Sequence, residues 1–127
     1  MDKQLQQRRL QRLQDFVAAW NRHDLPALMA AMSDDCLFRG AAGELIYGSE
    51  FRGREAVAEG YAKIFSLFPD AAWNEDSHFV AGDRGVSEWR FTGTSADGRA
   101  IEMYGCDLFL FDGDRIRVKD SYRKQRT

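Results

Sequence analysis

Apolar residues recur three and four positions apart at the start of the chain, where Leu10, Leu13, Phe16, Val17 and Trp20 form one stripe. That spacing predicts an amphipathic helix over about residues 3–22. Asp24 reads as the N-cap of a second, short helix, with Pro26 tolerated in its first turn and Leu28, Met29 and Met32 turned inward. Asp34-Asp35 ends that helix, and Cys36-Leu37-Phe38 predicts a short strand. Residues 40–52 set three glycines around the apolar island Leu45-Ile46-Tyr47, the composition of a mobile hairpin or flap. A third helix is predicted from Gly53 to Phe68, with Val57, Tyr61, Ile64, Phe65 and Phe68 inward and Pro69 stopping it.

Beyond Pro69 the pattern alternates with the period of a strand. Trp73–Ala81, Val86–Thr94, Arg99–Phe111 and Arg115–Lys124 predict an antiparallel meander, its turns at Gly82-Asp83, Asp97-Gly98 and Asp112-Gly113. The last of these, Asp-Gly between apolar strands, is the signature of a type I′ hairpin. Helices first and a long run of strands last make an α+β domain whose sheet must curl around the helices. The strands are apolar on both faces, which implies that the outer face is covered too, most simply by a second copy of the chain.

Composition narrows the class. At 127 residues the chain makes one domain, residues 1–127, large enough to bury a core without staples. A net charge of −2 argues against an electrostatic nucleic-acid binder. Basic residues nonetheless gather at both ends: Lys3, Arg8, Arg9 and Arg12, read as a solvated helix face, then Arg123, Lys124 and Arg126. There is no secretory h-region and no bilayer-length apolar run, so the reading is a cytoplasmic protein with no membrane partner. Cys36 and Cys106 lack metal-ligand spacing and read as free thiols in a reducing compartment, a disulfide between them being the other reading.

The candidate chemistry centres on Asp107, which opens the apolar run Leu108–Phe111 and shares a strand face with Ile101, Met103, Phe109 and Phe111. A carboxylate there must stay solvated in a cavity, meet a cation, or give up its charge. In an apolar pocket it would serve as general acid or hydrogen-bond donor; paired with Lys119 or Arg123 on the facing strand it would be structural. Glu88, lying mid-strand, can flank the same pocket as a catalytic base or face solvent. Lys119, Ser121 and Arg123 alternate on one face of the last strand. They either line the hollow and bind an anionic group or form the wet face; plain alternation gives the wet face, and a bulge would reverse it. Trp20, Trp89 and Tyr61 are candidates for pocket wall. His23 reads as a surface residue. His78 has no second ligand at metal spacing, so no metal site is expected, and no phosphate loop or Ser/His/Asp order is present.

Three phrases carry a resemblance: Trp20-Asn21-Arg22-His23-Asp24-Leu25-Pro26-Ala27-Leu28, Phe51-Arg52-Gly53-Arg54-Glu55-Ala56-Val57, and the closing Phe109-x-Phe111-Asp112-Gly113-Asp114-Arg115-Ile116. With the order of elements they resemble the nuclear transport factor 2-like superfamily, in its SnoaL-like branch with polyketide cyclases, ketosteroid isomerases and limonene epoxide hydrolases. The likeness covers residues 5–124. It implies a cone-shaped, cystatin-like fold with three N-terminal helices on a curved antiparallel sheet, a homodimer, and a cavity for a small-molecule ligand without cofactor. This fold hosts isomerases, cyclases, hydrolases, dehydratases and non-catalytic binders alike.

Position by position, the isomerase base falls on Phe38-Arg39-Gly40, where no acid stands, and its tyrosine donor falls on Phe16. Its buried aspartic acid falls on Asp107 and is kept. The epoxide hydrolase acid falls on Ser121, with Asp120 one place off and therefore on the opposite face. Neither full set is present. The expectation is a protein binding a small hydrophobic or carboxylated metabolite. It would turn that ligand over as a cofactor-free isomerase, cyclase or dehydratase, with Asp107 as donor and Glu88 as base. Alternatively, it is a non-catalytic ligand-binding or dimeric interaction module.

Overall fold

The computed structural model describes residues 2–127. Its elements run α1 (Lys3–Arg22), α2 (Leu25–Ala31), β1 (Met32–Arg39), β2 (Glu50–Arg52), α3 (Arg54–Leu67), β3 (Ala72–Ala81), β4 (Arg84–Thr94), β5 (Ala100–Asp112) and β6 (Arg115–Arg123). Asp2 starts α1 by accepting hydrogen bonds from the backbone N–H of Gln4 at 2.9 Å and Leu5 at 3.2 Å. The helix ends where His23 takes the left-handed conformation, φ 56°. Asp24 then caps α2 through the N–H of Ala27 at 3.1 Å. The corner is not a surface feature: His23 stacks on Phe65 with ring centroids 4.4 Å apart, and its Nε2 lies 2.8 Å from the carbonyl of Ala71.

The six strands form one curved sheet in the order β2-β1-β6-β5-β4-β3. It is mixed rather than wholly antiparallel, because β1 runs parallel to β6. α2 stops at Ala31, and β1 begins at once with Met32, so Asp34 and Asp35 lie within a strand instead of ending a helix. The closing hairpin turns on Gly113-Asp114, one residue later than the Asp-Gly signature implies. Gly113 alone has positive φ, 60°, which is the pattern of a type II′ rather than a type I′ turn.

α1 lies against β3 and β4, and α3 against β1 and β2, so the helices fill the concave side of the sheet. Leu13, Phe16, Trp20, Val57 and Tyr61 form the core with Phe109, Phe111 and Ile116 from the sheet. The basic start of α1 is not all solvated face. Arg9 is buried, and its guanidinium donates to the carbonyls of Gly82 and Gly113, each at 2.7 Å, while Arg12 donates to that of Asp114 at 2.9 Å. These arginines fasten the helix to two hairpin turns.

Two bulges decide what faces inward. In β6 the register against β5 shifts between Leu110 and Phe111, so Ile116 and Lys119 are both buried despite an odd spacing. In β3 the register shifts between Asn74 and Ser77, where Glu75 has φ 55°.

Candidate functional site

The concave sheet, α3 and the segment after β1 close around a cavity of about 270 Å³. Phe38, Phe51, Ile64, Trp73, Trp89 and Phe91 make most of its wall, and Lys119, Ser121 and Arg123 of β6 make its polar side. Gly60 allows α3 to sit this close. A Cβ there would come within 3.1 Å of the Phe51 ring and 3.2 Å of Phe38, which stack on each other at 5.4 Å.

On the polar side the contacts form one network. Lys119 Nζ donates to Ser121 Oγ at 2.7 Å and lies 3.3 Å from Asp107 Oδ1. Ser121 Oγ donates to the same carboxylate oxygen at 2.6 Å, and Trp89 Nε1 donates to Asp107 Oδ2 at 3.0 Å. Three rings surround the ammonium: Phe38 at 4.7 Å, Trp20 at 5.1 Å and Tyr61 at 5.8 Å. Burial holds the Lys119 pKa below the ordinary lysine value, with the Asp107 carboxylate pulling the other way. Burial, then Asp107 and Cys36, keep the Tyr61 phenol well above its usual range, and its hydroxyl donates to Met32 Sδ at 3.4 Å.

Charge at the site does not cancel. Asp107 is matched by Lys119, leaving Arg123, which places its guanidinium 5.5 Å over the Phe91 ring. Among the described residues no carboxylate lies within 4.0 Å of Arg123. Lys63 of α3, exposed on the same lining, also has no carboxylate within 4.0 Å among the described residues, so the aromatic hollow is edged by two unpaired positive charges, Arg123 and Lys63.

A polar row crosses the inner face behind this network. His78, Ser87, Asp107 and Ser121 stand directly opposite one another on β3, β4, β5 and β6. His78 Nδ1 lies 2.7 Å from Ser87 Oγ, and Nε2 lies 2.7 Å from Asp76 Oδ2. A Ser-His-Asp contact thus exists where the sequence showed no such order, but Ser87 is wholly buried and outside the cavity lining.

The sequence profile of the SnoaL-like domain matches residues 13–118. The chain belongs to the SnoaL-like family. Three solved structures share the fold of this SnoaL-like chain. An NTF2-like protein of unknown function from Mesorhizobium loti is 24% identical over 98% of this chain and 97% of its own, with a TM-score of 0.79. A protein of unknown function with a cystatin-like fold from Xanthomonas campestris is 16% identical over 92% and 91%, TM-score 0.81. A protein with a ketosteroid isomerase-like fold from Catenulispora acidiphila, solved with trimethylamine, is 19% identical over 87% and 83%, TM-score 0.77. No curated protein matches the chain.

Set beside the sequence expectations, the SnoaL-like cavity brings together Trp89, Lys119, Ser121 and Arg123 on its lining. Asp107 is 4% exposed and stands one layer behind them. Trp20 and Tyr61 also stand behind, against the Lys119 ammonium. Glu88 is corrected outright. It is exposed on the convex face opposite Cys106, while its neighbours Ser87 and Trp89 point inward, so it cannot flank a pocket with Asp107. Cys36 lies in the core and Cys106 on that same convex side, which leaves both as free thiols. Phe38, Phe51, Ile64, Trp73 and Phe91 were not singled out as pocket residues; Phe38 lines the cavity in the segment where the isomerases carry their base. Of these only Ile64 stands on a face that the spacing turns inward, and spacing does not distinguish a packed side chain from a cavity wall.

Proposed function

We propose that this SnoaL-like protein binds a small metabolite with an apolar, ring-sized body and one anionic group. The body lies against Phe38, Trp89 and Phe91, and the anion meets Arg123 and Lys119. The supporting observation is the uncompensated guanidinium at the end of an aromatic hollow. A neutral ligand would take water from Arg123 and return nothing, whereas a carboxylate can accept two of its N–H groups at once. The Lys119 ammonium, with three N–H groups, offers a further donor, while the single Ser121 proton is held by Asp107. Asp107 is the positioning residue of this reading: as acceptor from Trp89, Ser121 and Lys119 it holds the ammonium in place, and Glu88 has no part.

Isothermal titration calorimetry with phenylbutyrate and phenylbutanol tests the reading. The carboxylate should bind more tightly, and Arg123→Gln should remove that preference while the alcohol binds as before. Equal affinities in the unaltered protein would refute it.

Turnover as a cofactor-free isomerase, cyclase or dehydratase is the second reading. It is supported by the lowered pKa of Lys119, which makes its ammonium a stronger acid beside a developing oxyanion. Among the described lining residues there is no carboxylate or imidazole to act as base, so binding without turnover is favoured. We further infer a homodimer through the convex sheet face, where Phe79, Tyr104 and Tyr122 are all more than half exposed. No helix among the described residues is long and apolar enough to cross a membrane. The two free thiols, Cys36 and Cys106, support a cytoplasmic location.

A further inference from the structure

Beside the cavity lies a larger groove of about 630 Å³, bounded by the start of β5 and by the chain from Arg123 to Thr127. The two hollows share Ala41, Ala42, Phe68 and Arg123. Their chemistry changes across that shared wall. The cavity is aromatic, whereas the groove presents Arg99, Arg123, Lys124 and Arg126 against a single acid, Glu102. Glu102 is already occupied by Arg90 at 2.6 Å. Arg99 has only a loose, exposed partner in Asp97 at 3.6 Å. Among the described residues neither Lys124 nor Arg126 has a carboxylate within 4.0 Å.

In a chain of net charge −2, three cations without a carboxylate partner along one wall repel one another, and the contacts they do make, Arg126 to the carbonyl of Glu102 at 3.2 Å and Arg123 over the Phe91 ring, leave that charge unanswered. A monocarboxylate held at Arg123 would leave Lys124 and Arg126 unanswered. A phosphate ester carries close to two negative charges and several acceptor oxygens, and a diphosphate carries more. We propose that the cavity is the head pocket of a longer site whose ligand is an apolar molecule with a phosphate or diphosphate tail. The apolar body fills the cavity, the first anionic group meets Arg123, and the terminal phosphate lies against Lys124 and Arg126 with Arg99 at the far side. This inference rests on the cavity being a ligand site, and it assigns the groove as the second half of that site.

The test is calorimetry on the full chain with three probes: phenylbutanol, phenylbutyl diphosphate and inorganic pyrophosphate. At low ionic strength the diphosphate ester should bind about tenfold or more tightly than the alcohol, an advantage that shrinks as salt is raised. Lys124→Gln combined with Arg126→Gln, both at exposed positions, should remove most of the ester's advantage, leaving only the share that Arg123 supplies, and leave the alcohol unchanged. An ester no tighter than the alcohol, or an advantage that the double variant leaves undiminished, would overturn the proposal while leaving the cavity reading intact. Failure of both organic probes would instead refute the cavity reading. Pyrophosphate then decides the groove alone, with binding that the double variant abolishes supporting it and no binding overturning it.

Discussion

Lys119 Nζ lies 3.3 Å from Asp107 Oδ1 with both side chains only 6% exposed, so the strongest electrostatic contact of the inner face is also the back wall of its cavity. Breaking such a pair leaves one buried charge without an answer. Asp107→Asn or Lys119→Met should each destabilise the fold by ~3–5 kcal/mol. Replacing both residues together with apolar ones of similar volume should cost much less than the sum, because no charge is stranded. Urea denaturation of the two single variants and the double variant measures this coupling directly, and additive losses would show the pair to be incidental.

Protonation of Lys119 makes stability and binding run in opposite directions with pH. Its pKa in the fold lies below the ordinary 10.5 because of burial. Between the lowered value and the ordinary one the unfolded chain therefore holds more protons at this residue than the native protein. Stability contributed by Lys119 accordingly rises with pH through that interval. An anionic ligand needs the ammonium, so affinity for phenylbutyrate is full below the lowered pKa and declines as pH climbs through it. Titrations at stepped alkaline pH should show the decline, and Lys119→Arg, which stays protonated, should abolish it.

Gly105 sets the position of the Trp89 indole. A Cβ at residue 105 would sit 2.6 Å from the far edge of that ring and 2.5 Å from the carbonyl of Tyr122. Relief therefore needs both a shift of β5 against β6 and a swing of the indole, which takes with it the N–H that Trp89 gives Asp107. Gly105→Ala should cost about 1–3 kcal/mol by overpacking and shift tryptophan emission. It should also weaken phenylbutyrate binding. A variant with unchanged melting and emission would mean that the strand relaxes around the methyl group.

How far the sequence revealed this arrangement follows from where plain alternation holds. Along α1 and α3 the helical spacing placed Leu13, Phe16, Trp20, Val57 and Tyr61 inward, and all are buried. Along β5 no bulge intervenes between Ile101 and Leu110, and the row through Asp107, Phe109 and Phe111 lies inward as spacing implied. In β6 one extra residue near Arg117 turns both Ile116 and Lys119 to the concave side, which alternation alone had made alternatives. The bulge in β3 likewise puts His78 in register with Ser87 and hides a Ser-His-Asp contact from any linear pattern. The parallel pairing of β1 with β6 joins the two ends of the chain, a long-range choice that local periodicity does not encode.

The Ser87-His78-Asp76 contact should behave as structure. Ser87 is 0% exposed and lies outside the cavity lining, so an acylating substrate has no route to its oxygen. A fluorophosphonate probe should leave the protein unlabelled. Ser87→Ala removes the partner of His78 Nδ1, whose side chain is 5% exposed, and should cost about 1–3 kcal/mol for a buried polar atom left unpaired. Labelling at Ser87 would instead reveal an opening of α1 away from β3 and β4.

Filling the cavity separates a ligand site from a packing fault. Ile64 of α3 lines the hollow and is only partly buried, so a larger ring at this position has space to enter without displacing the core. Binding sites are kept open at the expense of packing, and closing one commonly gains about 0.5–2 kcal/mol. Ile64→Trp should therefore melt at or above the temperature of the unaltered protein. It should also lose phenylbutanol and phenylbutyrate together, since the aromatic body is excluded whatever its polar group. Inorganic pyrophosphate, which needs only Lys124 and Arg126, should bind as before. A variant that still takes up both organic probes with unchanged affinity would place their site elsewhere on the molecule. One that loses stability by more than ~3 kcal/mol would show the hollow to be smaller in solution than its walls imply.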